Sequence, residues 1–307
     1  MRMIHVSDLH LNLMDHDSNT EKIVRFFEHI AAMHPEHLII TGDISENGEE
    51  EELLAFRDIL EHIGYYHSEK TTVVIGNHDI FGGVHRAEDI LTFPERCVNT
   101  DYYSKVLKFH SLFGELYENC MYPIEGSVYP FVKLVKHVAI AGVNSIAEYS
   151  KVKNIFASRG KINDAQYEGL YEALLYAMDE ADMTLVAIHH HFNKIVPEGD
   201  QWIKSIWSRI EKQTMNLKKK KRLIQMFNIF GVKAVLHGHY HVMDTYERSG
   251  IQYVNSGASF KNSAENTVYY HALEIGRKLL VANLEEFSHS PRKYKKIAQL
   301  LASNRSA

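Results

Sequence analysis

Short apolar runs recur along the chain, and each stops abruptly at a polar cluster. Met3 to Val6 runs into Ser7-Asp8-Leu9-His10, and His37 to Ile40 into Thr41-Gly42-Asp43. Thr71 to Ile75 precedes Gly76-Asn77-His78-Asp79, Thr184 to Ile188 precedes His189-His190-His191, and Lys233 to Leu236 precedes His237-Gly238-His239-Tyr240-His241. Four or five apolar and β-branched residues bounded by turn chemistry predict a buried strand. Between these runs, apolar residues recur at helical spacing. Thr20 to Met33 aligns Ile23, Phe26, Phe27 and Ile30, and Glu49 to Ile63 aligns Leu53, Phe56, Ile59, Leu60 and Ile63. Asp164 to Met178 aligns Tyr167, Leu170, Tyr171, Leu174 and Leu175, with Asn163 or Asp164 as its N-cap. Strand followed by helix, repeated, predicts an α/β core with crossover connections.

Beyond His241 the pattern changes. Ile251 to Val254, Val268 to Leu273 and Leu279 to Leu284 read as strands joined by short turns, which predicts a second, mixed or antiparallel sheet against the first. No internal repeat or low-complexity linker divides residues 1–307, so one domain is expected. Two stretches interrupt the alternation. Residues 84–131 are rich in Tyr and Phe (Tyr102, Tyr103, Phe109, Phe113, Tyr117, Tyr122, Tyr129, Phe131) and are expected to form a cap or insertion. Residues 195–230, with Trp202, Trp207 and the basic run Lys218 to Arg222, are expected to form a helical insertion.

Composition narrows the class of partner. With 307 residues, 45% of them hydrophobic, the chain is long enough to bury a large core. A net charge of −5 disfavours nucleic acid and acidic membranes. Two cysteines, Cys97 and Cys120, suit a reducing compartment better than a disulfide framework. No apolar run reaches the ~18 residues of a membrane span, and the N-terminus enters its first strand without a cleavable apolar segment. A cytoplasmic location is expected, and a homodimer is left open by the aromatic stretch.

The five strand ends share one property: each carries Asp, His or Asn, the side chains that give a metal oxygen or imidazole nitrogen. In α/β sheets the carboxyl ends of strands open onto a common crevice, where distant residues meet. Asp8 and His10, two apart in an extended segment, point the same way, as do His239 and His241. Taken singly, a His at a strand end is an ordinary surface residue and an Asp after Gly an ordinary turn residue. Five such clusters in order are not.

Asp8-x-His10, Gly42-Asp43, Gly76-Asn77-His78-Asp79, His189 and Gly238-His239-x-His241 together resemble the calcineurin-like metallophosphoesterase superfamily. The resemblance implies an α/β fold of two mixed β-sheets flanked by helices, and two divalent metal ions. It implies that Asp8, His10 and His241 hold one ion, that Asn77, His189 and His239 hold the other, and that Asp43 bridges them. His190 is the alternative to His189. His78 would stand beside the metals as a catalytic residue, with Asp79 orienting its ring. Mn²⁺, Fe or Zn²⁺ suits such a mixed nitrogen and oxygen set better than Mg²⁺. Two such ions supply a water-derived nucleophile near neutral pH, so no Ser or Cys nucleophile is required. The implied substrate is a small phosphorylated molecule.

Within the superfamily the chain is most similar to the class III cyclic-nucleotide phosphodiesterase branch. Gly42-Asp43 is followed by Ile44-Ser45-Glu46-Asn47-Gly48 and not by the Val-Asp-Arg-Gly of the protein phosphatase branch, and Asp79 replaces that branch's Glu. Phe192 stands where the phosphodiesterase branch often has Pro. Phosphomonoesterase or pyrophosphatase activity on the same site is the alternative. A DNA nuclease would need a basic groove, and a non-catalytic scaffold would be expected to have lost some of these side chains.

Overall fold

The structure is a computed structural model that describes residues 1–13, 19–84, 89–193, 215–257, 259–260 and 267–288. The expected strands and helices form close to their predicted limits. β1 (Arg2–Val6), β2 (His37–Ile40) and β3 (Thr71–Val73) run parallel, and α1 (Asn19–Ala32) and α2 (Glu50–His62) connect them. A short helix, α3 (His78–Phe81), follows β3, and α4 (Asp89–Asn99), α5 (Tyr102–Leu112) and a 3-10 turn (Gly114–Tyr117) follow that. The chain then enters a new sheet through the hairpin β4 (Phe131–Val135) and β5 (Val138–Val143). α6 (Asp164–Glu180) leads to β6 (Met183–Ile188), and α7 (Lys220–Ile229) precedes β7 (Ala234–His237). Asn163 is the N-cap of α6, its side chain accepting the Gln166 N–H at 2.8 Å. β8 (Met243–Arg248), β9 (Ile251–Ser256), β10 (Thr267–Ile275) and β11 (Leu280–Ser288) complete the sheets.

The two sheets are ordered β11-β10-β1-β2-β3 and β4-β5-β6-β7-β9-β8. This corrects the sequence-based topology in two ways. The late strands do not form a sheet of their own: β9 lies parallel to β7 in the second sheet, while β10 pairs antiparallel with β1 in the first. The five strands bearing polar clusters are likewise divided, three in the first sheet and two in the second. A strand's apolar pattern specifies that it is buried but carries no information about its neighbour.

Alternation within the second sheet shows how the layers stack. Val138 and Ile140 of β5, Leu185 and Ala187 of β6, and Ala234 and Leu236 of β7 join the core shared with the first sheet. Ala139, Ala141, Val186, Ile188 and Val235, pointing the other way, join a second core with Leu170 and Leu174 of α6 and Leu223 and Phe227 of α7. On the first sheet, Phe26 and Phe27 of α1 and Phe56 of α2 meet edge-on at 5.2 and 5.3 Å. The result is helices, sheet, sheet, helices. Most of the aromatic stretch belongs to this core: Phe109, Phe113, Tyr117, Tyr129 and Phe131 are buried, whereas Tyr103 is 62% exposed. Trp202 and Trp207 lie outside the described residues.

One buried polar pair bears on stability. His37, at the start of β2, donates from Nδ1 to the Glu69 carbonyl at 2.8 Å and accepts at Nε2 from the Thr72 hydroxyl at 2.8 Å. Burial, with the Lys133 ammonium nearby, favours the neutral ring and holds the imidazole down at about 3, although the Glu69 bond favours the charged form. The unfolded chain binds a proton near pH 6.5 that the folded chain refuses. Stability is therefore complete above about pH 6.5 and is lost as pH falls toward the folded value, by about 1.4 kcal/mol per pH unit for this residue. Urea unfolding of the chelator-treated chain at several pH values should show a shallower acid loss in His37→Gln than in the natural sequence. Parallel pH profiles would exclude His37 as a source of acid sensitivity.

Candidate metal centre

The polar clusters at the ends of β1, β2, β3, β6 and β7 meet where the two sheets face each other. Backbone hydrogen bonds stitch the loops together: Asp8 N–H to the Gly42 carbonyl, His10 N–H to the Asp43 carbonyl and Gly238 N–H to the His189 carbonyl, each at 3.0 Å. Two glycines permit this approach. A Cβ on Gly42, at φ +91°, would lie 2.7 Å from the His189 ring, and one on Gly238 would lie 2.2 Å from the Asp8 carboxylate. Ten non-glycine residues have positive φ among those described, and four of them are Asp8, His10, Asp43 and His239. Each such residue costs on the order of 1 kcal/mol or more, and strain of this kind concentrates at functional sites.

Two sets of donors converge. In the first, His10 Nε2 lies 3.1 Å from His241 Nε2, and Asp8 Oδ1 lies 3.3 Å from His241 Nε2 and 3.8 Å from His10 Nε2. In the second, His189 Nε2 faces Asp43 Oδ2 at 3.2 Å, Asn77 Oδ1 at 3.1 Å and His239 Nδ1 at 3.0 Å. Ring nitrogens aimed at each other across about 3 Å have the separation of two donors placed about 2.1 Å from one ion at right angles. Each set, Asp8 with His10 and His241 and Asp43 with His189 and His239, lies within the span a single ion requires. The donor chemistry and its convergence fit divalent metals.

The three consecutive histidines separate cleanly. His189 donates from Nδ1 to the Thr41 carbonyl at 2.8 Å, so in the neutral ring the lone pair lies on Nε2, facing Asp43 and Asn77. His190 turns away: its Nδ1 meets the Ser145 hydroxyl at 2.8 Å and its Nε2 donates to the Ser158 carbonyl at 3.1 Å. His191 stacks 6.2 Å from His239, and burial holds its imidazole down at about 3.

Electrostatics follow from burying two carboxylates here. Burial opposes the charge on both Asp8 and Asp43. The surrounding histidines outweigh it, His241 and His189 for Asp8 and His189, His78 and His10 for Asp43, so both carboxyls sit below their ordinary value. Backbone amides add to this: His239 N–H donates to Asp8 Oδ2 at 3.0 Å and His78 N–H to Asp43 Oδ1 at 2.8 Å. Burial likewise opposes protonation of His189, and Asp43 more than offsets it, raising the imidazole to about 9.

Two details depart from the sequence reading. Asp79 does not orient the His78 ring. Its carboxylate accepts the Ser45 N–H at 2.9 Å and the Gly76 N–H at 2.8 Å, tying the loop after β2 to the loop after β3. Burial and the nearby Asp43 charge push its carboxyl up to about 7. The His78 ring instead donates from Nδ1 to the Glu46 carbonyl at 3.2 Å and stands edge-on to His10 at 4.6 Å. Glu46 itself was not singled out. Its Oε2 lies 2.7 Å from His10 Nδ1, the carboxylate–histidine pairing that orients an imidazole ligand, and Oε1 lies 3.7 Å from His78 Nδ1. Burial disfavours a charged His10, but Glu46, with Asp43 and Asp8, raises it above its ordinary value. The only sequence signal was its place in the loop bearing Asp43.

Two phosphatases are among the solved structures that share this fold. A dimetal phosphatase from Danio rerio superposes with a TM-score of 0.55 at 9% identity, covering 94% of this chain and 99% of that one. Purple acid phosphatase PPD1 from yellow lupin (Lupinus luteus) gives 0.52 at 10% identity, covering 89% of this chain and 49% of that one. A candidate 5′-nucleotidase from Staphylococcus aureus gives 0.47 at 14% identity, and this chain spans 58% of its length. No curated protein sequence matches. Among the described residues, no helix is long and apolar enough to cross a membrane. The calcineurin-like phosphoesterase family model matches residues 1–243, and the chain therefore belongs to that family.

Proposed function

We propose that the chain is a phosphodiesterase for a small phosphorylated substrate, a cyclic nucleotide being one such molecule, and that its two metal ions are Mn²⁺, Fe or Zn²⁺. On this reading Asp8, His10 and His241 would hold one ion, Asn77, His189 and His239 would hold the other, and Asp43 would be shared between them. The observation that carries it is the meeting of the two donor sets across both sheets, with His189 Nε2 within 3.2 Å of Asp43 and 3.1 Å of Asn77 while both His190 nitrogens are engaged elsewhere. Such ions supply Lewis-acid stabilisation of the phosphoryl charge and lower the pKa of a water toward neutrality.

The chain's own residues do the rest. Asp8 and Asp43 neutralise part of the positive charge and are held rigid by backbone donors. His78, fixed through its backbone N–H on Asp43 and its Nδ1 on Glu46, protonates the leaving oxygen from Nε2. Glu46 keeps the His10 ring in place.

Hydrolysis of bis-p-nitrophenyl phosphate and p-nitrophenyl phosphate, with Mn²⁺ and with chelator, tests the reading. The diester should be preferred and chelator should abolish turnover. A monoester preference would replace phosphodiesterase with phosphomonoesterase, and activity that survives chelation would remove the metals from the mechanism. In Asp43→Ala, metal content and turnover should be lost together. In His78→Ala, the metals should remain while kcat falls by roughly a hundredfold or more. An unchanged kcat in His78→Ala removes His78 as the proton donor.

A further inference from the structure

A cavity of about 620 Å³ is lined by none of the candidate metal-centre residues. Its walls are the loop after β5, the exposed side of α5 and the chain entering α7. Four basic side chains line it, Lys153, Arg159, Lys161 and Lys218, against one acidic one, Glu148. None of the four cations has an ion-pair or hydrogen-bond partner among the described residues. Neighbouring basic residues do: Lys219 and Arg222 both meet Asp164, at 3.2 and 3.7 Å, and Arg222 covers the Tyr167 ring at 3.7 Å. On a chain of net charge −5, an uncompensated excess of three positive charges in one concavity is a local departure from the overall charge.

The backbone holds these cations together despite their repulsion. Lys161 N–H donates to the Ser145 carbonyl at 2.8 Å, Lys218 N–H to the Gly160 carbonyl at 2.9 Å, and Gly160 N–H to the Asn216 carbonyl at 3.3 Å. Buried Asn154 accepts the Arg159 N–H at 3.0 Å and donates to the carbonyls of Ala147 and Glu148 at 3.2 Å. Slight desolvation and then the repulsion of Arg159, Lys153 and Lys161 lower the ammonium of the exposed Lys218. An anion placed among the four would relieve that repulsion.

Neighbours of the lining residues contact elements that bear the metal-centre residues on two sides. Ser145, between the lining residues Asn144 and Ile146, meets His190, and the absent side chain of Gly160, between the lining residues Arg159 and Lys161, makes room for the His190 ring, which lies 2.7 Å from where a Cβ would stand. Opposite, Tyr102 stacks on Phe81 of α3 at 6.4 Å and donates to the Ile146 carbonyl at 2.8 Å. α3 begins with His78, and β6 ends just before His189.

We propose that this cavity binds a second anionic group of the substrate, a phosphate or polyphosphate carried elsewhere on the molecule than the ester cleaved at the metals. The assignment rests on the phosphodiesterase reading above for its link to turnover, but not for the anion site itself. Lys161 and Lys218 are its central contacts, and Tyr103, exposed at the mouth, stands where an attached ring would lie.

Two measurements separate these claims. First, inorganic tripolyphosphate is titrated calorimetrically into the full-length Asp43→Ala chain in chelator, so that no metal carries the binding. Saturable binding at one site is expected, weakened on the order of tenfold or more when Lys161→Ala and Lys218→Ala are added, and retained with Lys161→Arg and Lys218→Arg. No saturable binding, or binding indifferent to both lysines, overturns the site. Second, with Mn²⁺-loaded enzyme, kcat/KM is compared for thymidine 5′-p-nitrophenyl phosphate with and without a 3′-phosphate. The added phosphate should raise kcat/KM about tenfold, and Lys161→Ala/Lys218→Ala should erase that gain. An equal ratio in both enzymes overturns the substrate role. If neither ester is hydrolysed, the phosphodiesterase reading fails, and the titration still decides the anion site.

Discussion

Asp8 and Asp43 are 0% and 1% exposed, on loops that follow adjacent parallel strands, and no lysine or arginine pairs with either among the described residues. A carboxylate removed from water costs several kcal/mol unless charge and hydrogen bonds compensate it. Here compensation comes from both sheets: His189 and His239 approach from the second, His10 and His78 from the first. The opposition of the two sheets, the glycines that let their loops touch and the left-handed backbone at Asp8, His10, Asp43 and His239 all serve that convergence. Imidazole and backbone N–H groups alone leave several ring nitrogens aimed at one another. Metal ions held there would complete the arrangement.

Much of this was legible in the sequence because the signals were local. β2 forms over His37–Ile40 as expected, and α6 takes Asn163 as its N-cap. Three of the described strands lay outside the sequence reading, and β5 is one of them although its run VAIAGV is wholly apolar. β8 is an edge strand with polar residues on both faces, and β4 carries Lys133 in its interior. That lysine is buried with its ammonium bonded to the carbonyls of Thr71 and Leu116, a partnership that only the folded chain shows. Pairing between strands was likewise invisible, so the allotment of β9 to one sheet and β10 to the other could not be read from hydrophobicity.

The site divides the same way. The donors announced themselves as Asp, His and Asn at strand ends, and all seven expected ligands gather at one place. Their supports did not. Asp79 reads as a neighbour of His78, yet its carboxylate faces the backbone of Ser45 and Gly76 because the turn at Asn77 starts α3 and carries the two side chains in different directions. Glu46 reads as a loop residue until the fold places it against His10. The basic run at 218–222 shows a similar split, with Lys219 and Arg222 on Asp164 and Lys218 lining the cavity.

The central claim is that one buried carboxylate, Asp43, joins two ions. Anomalous diffraction from crystals grown with Mn²⁺ tests it most directly. The account predicts two peaks about 3.5 to 4 Å apart, with the Asp43 carboxylate in contact with both and His190 with neither. A single peak, or two peaks that do not share Asp43, would contradict it.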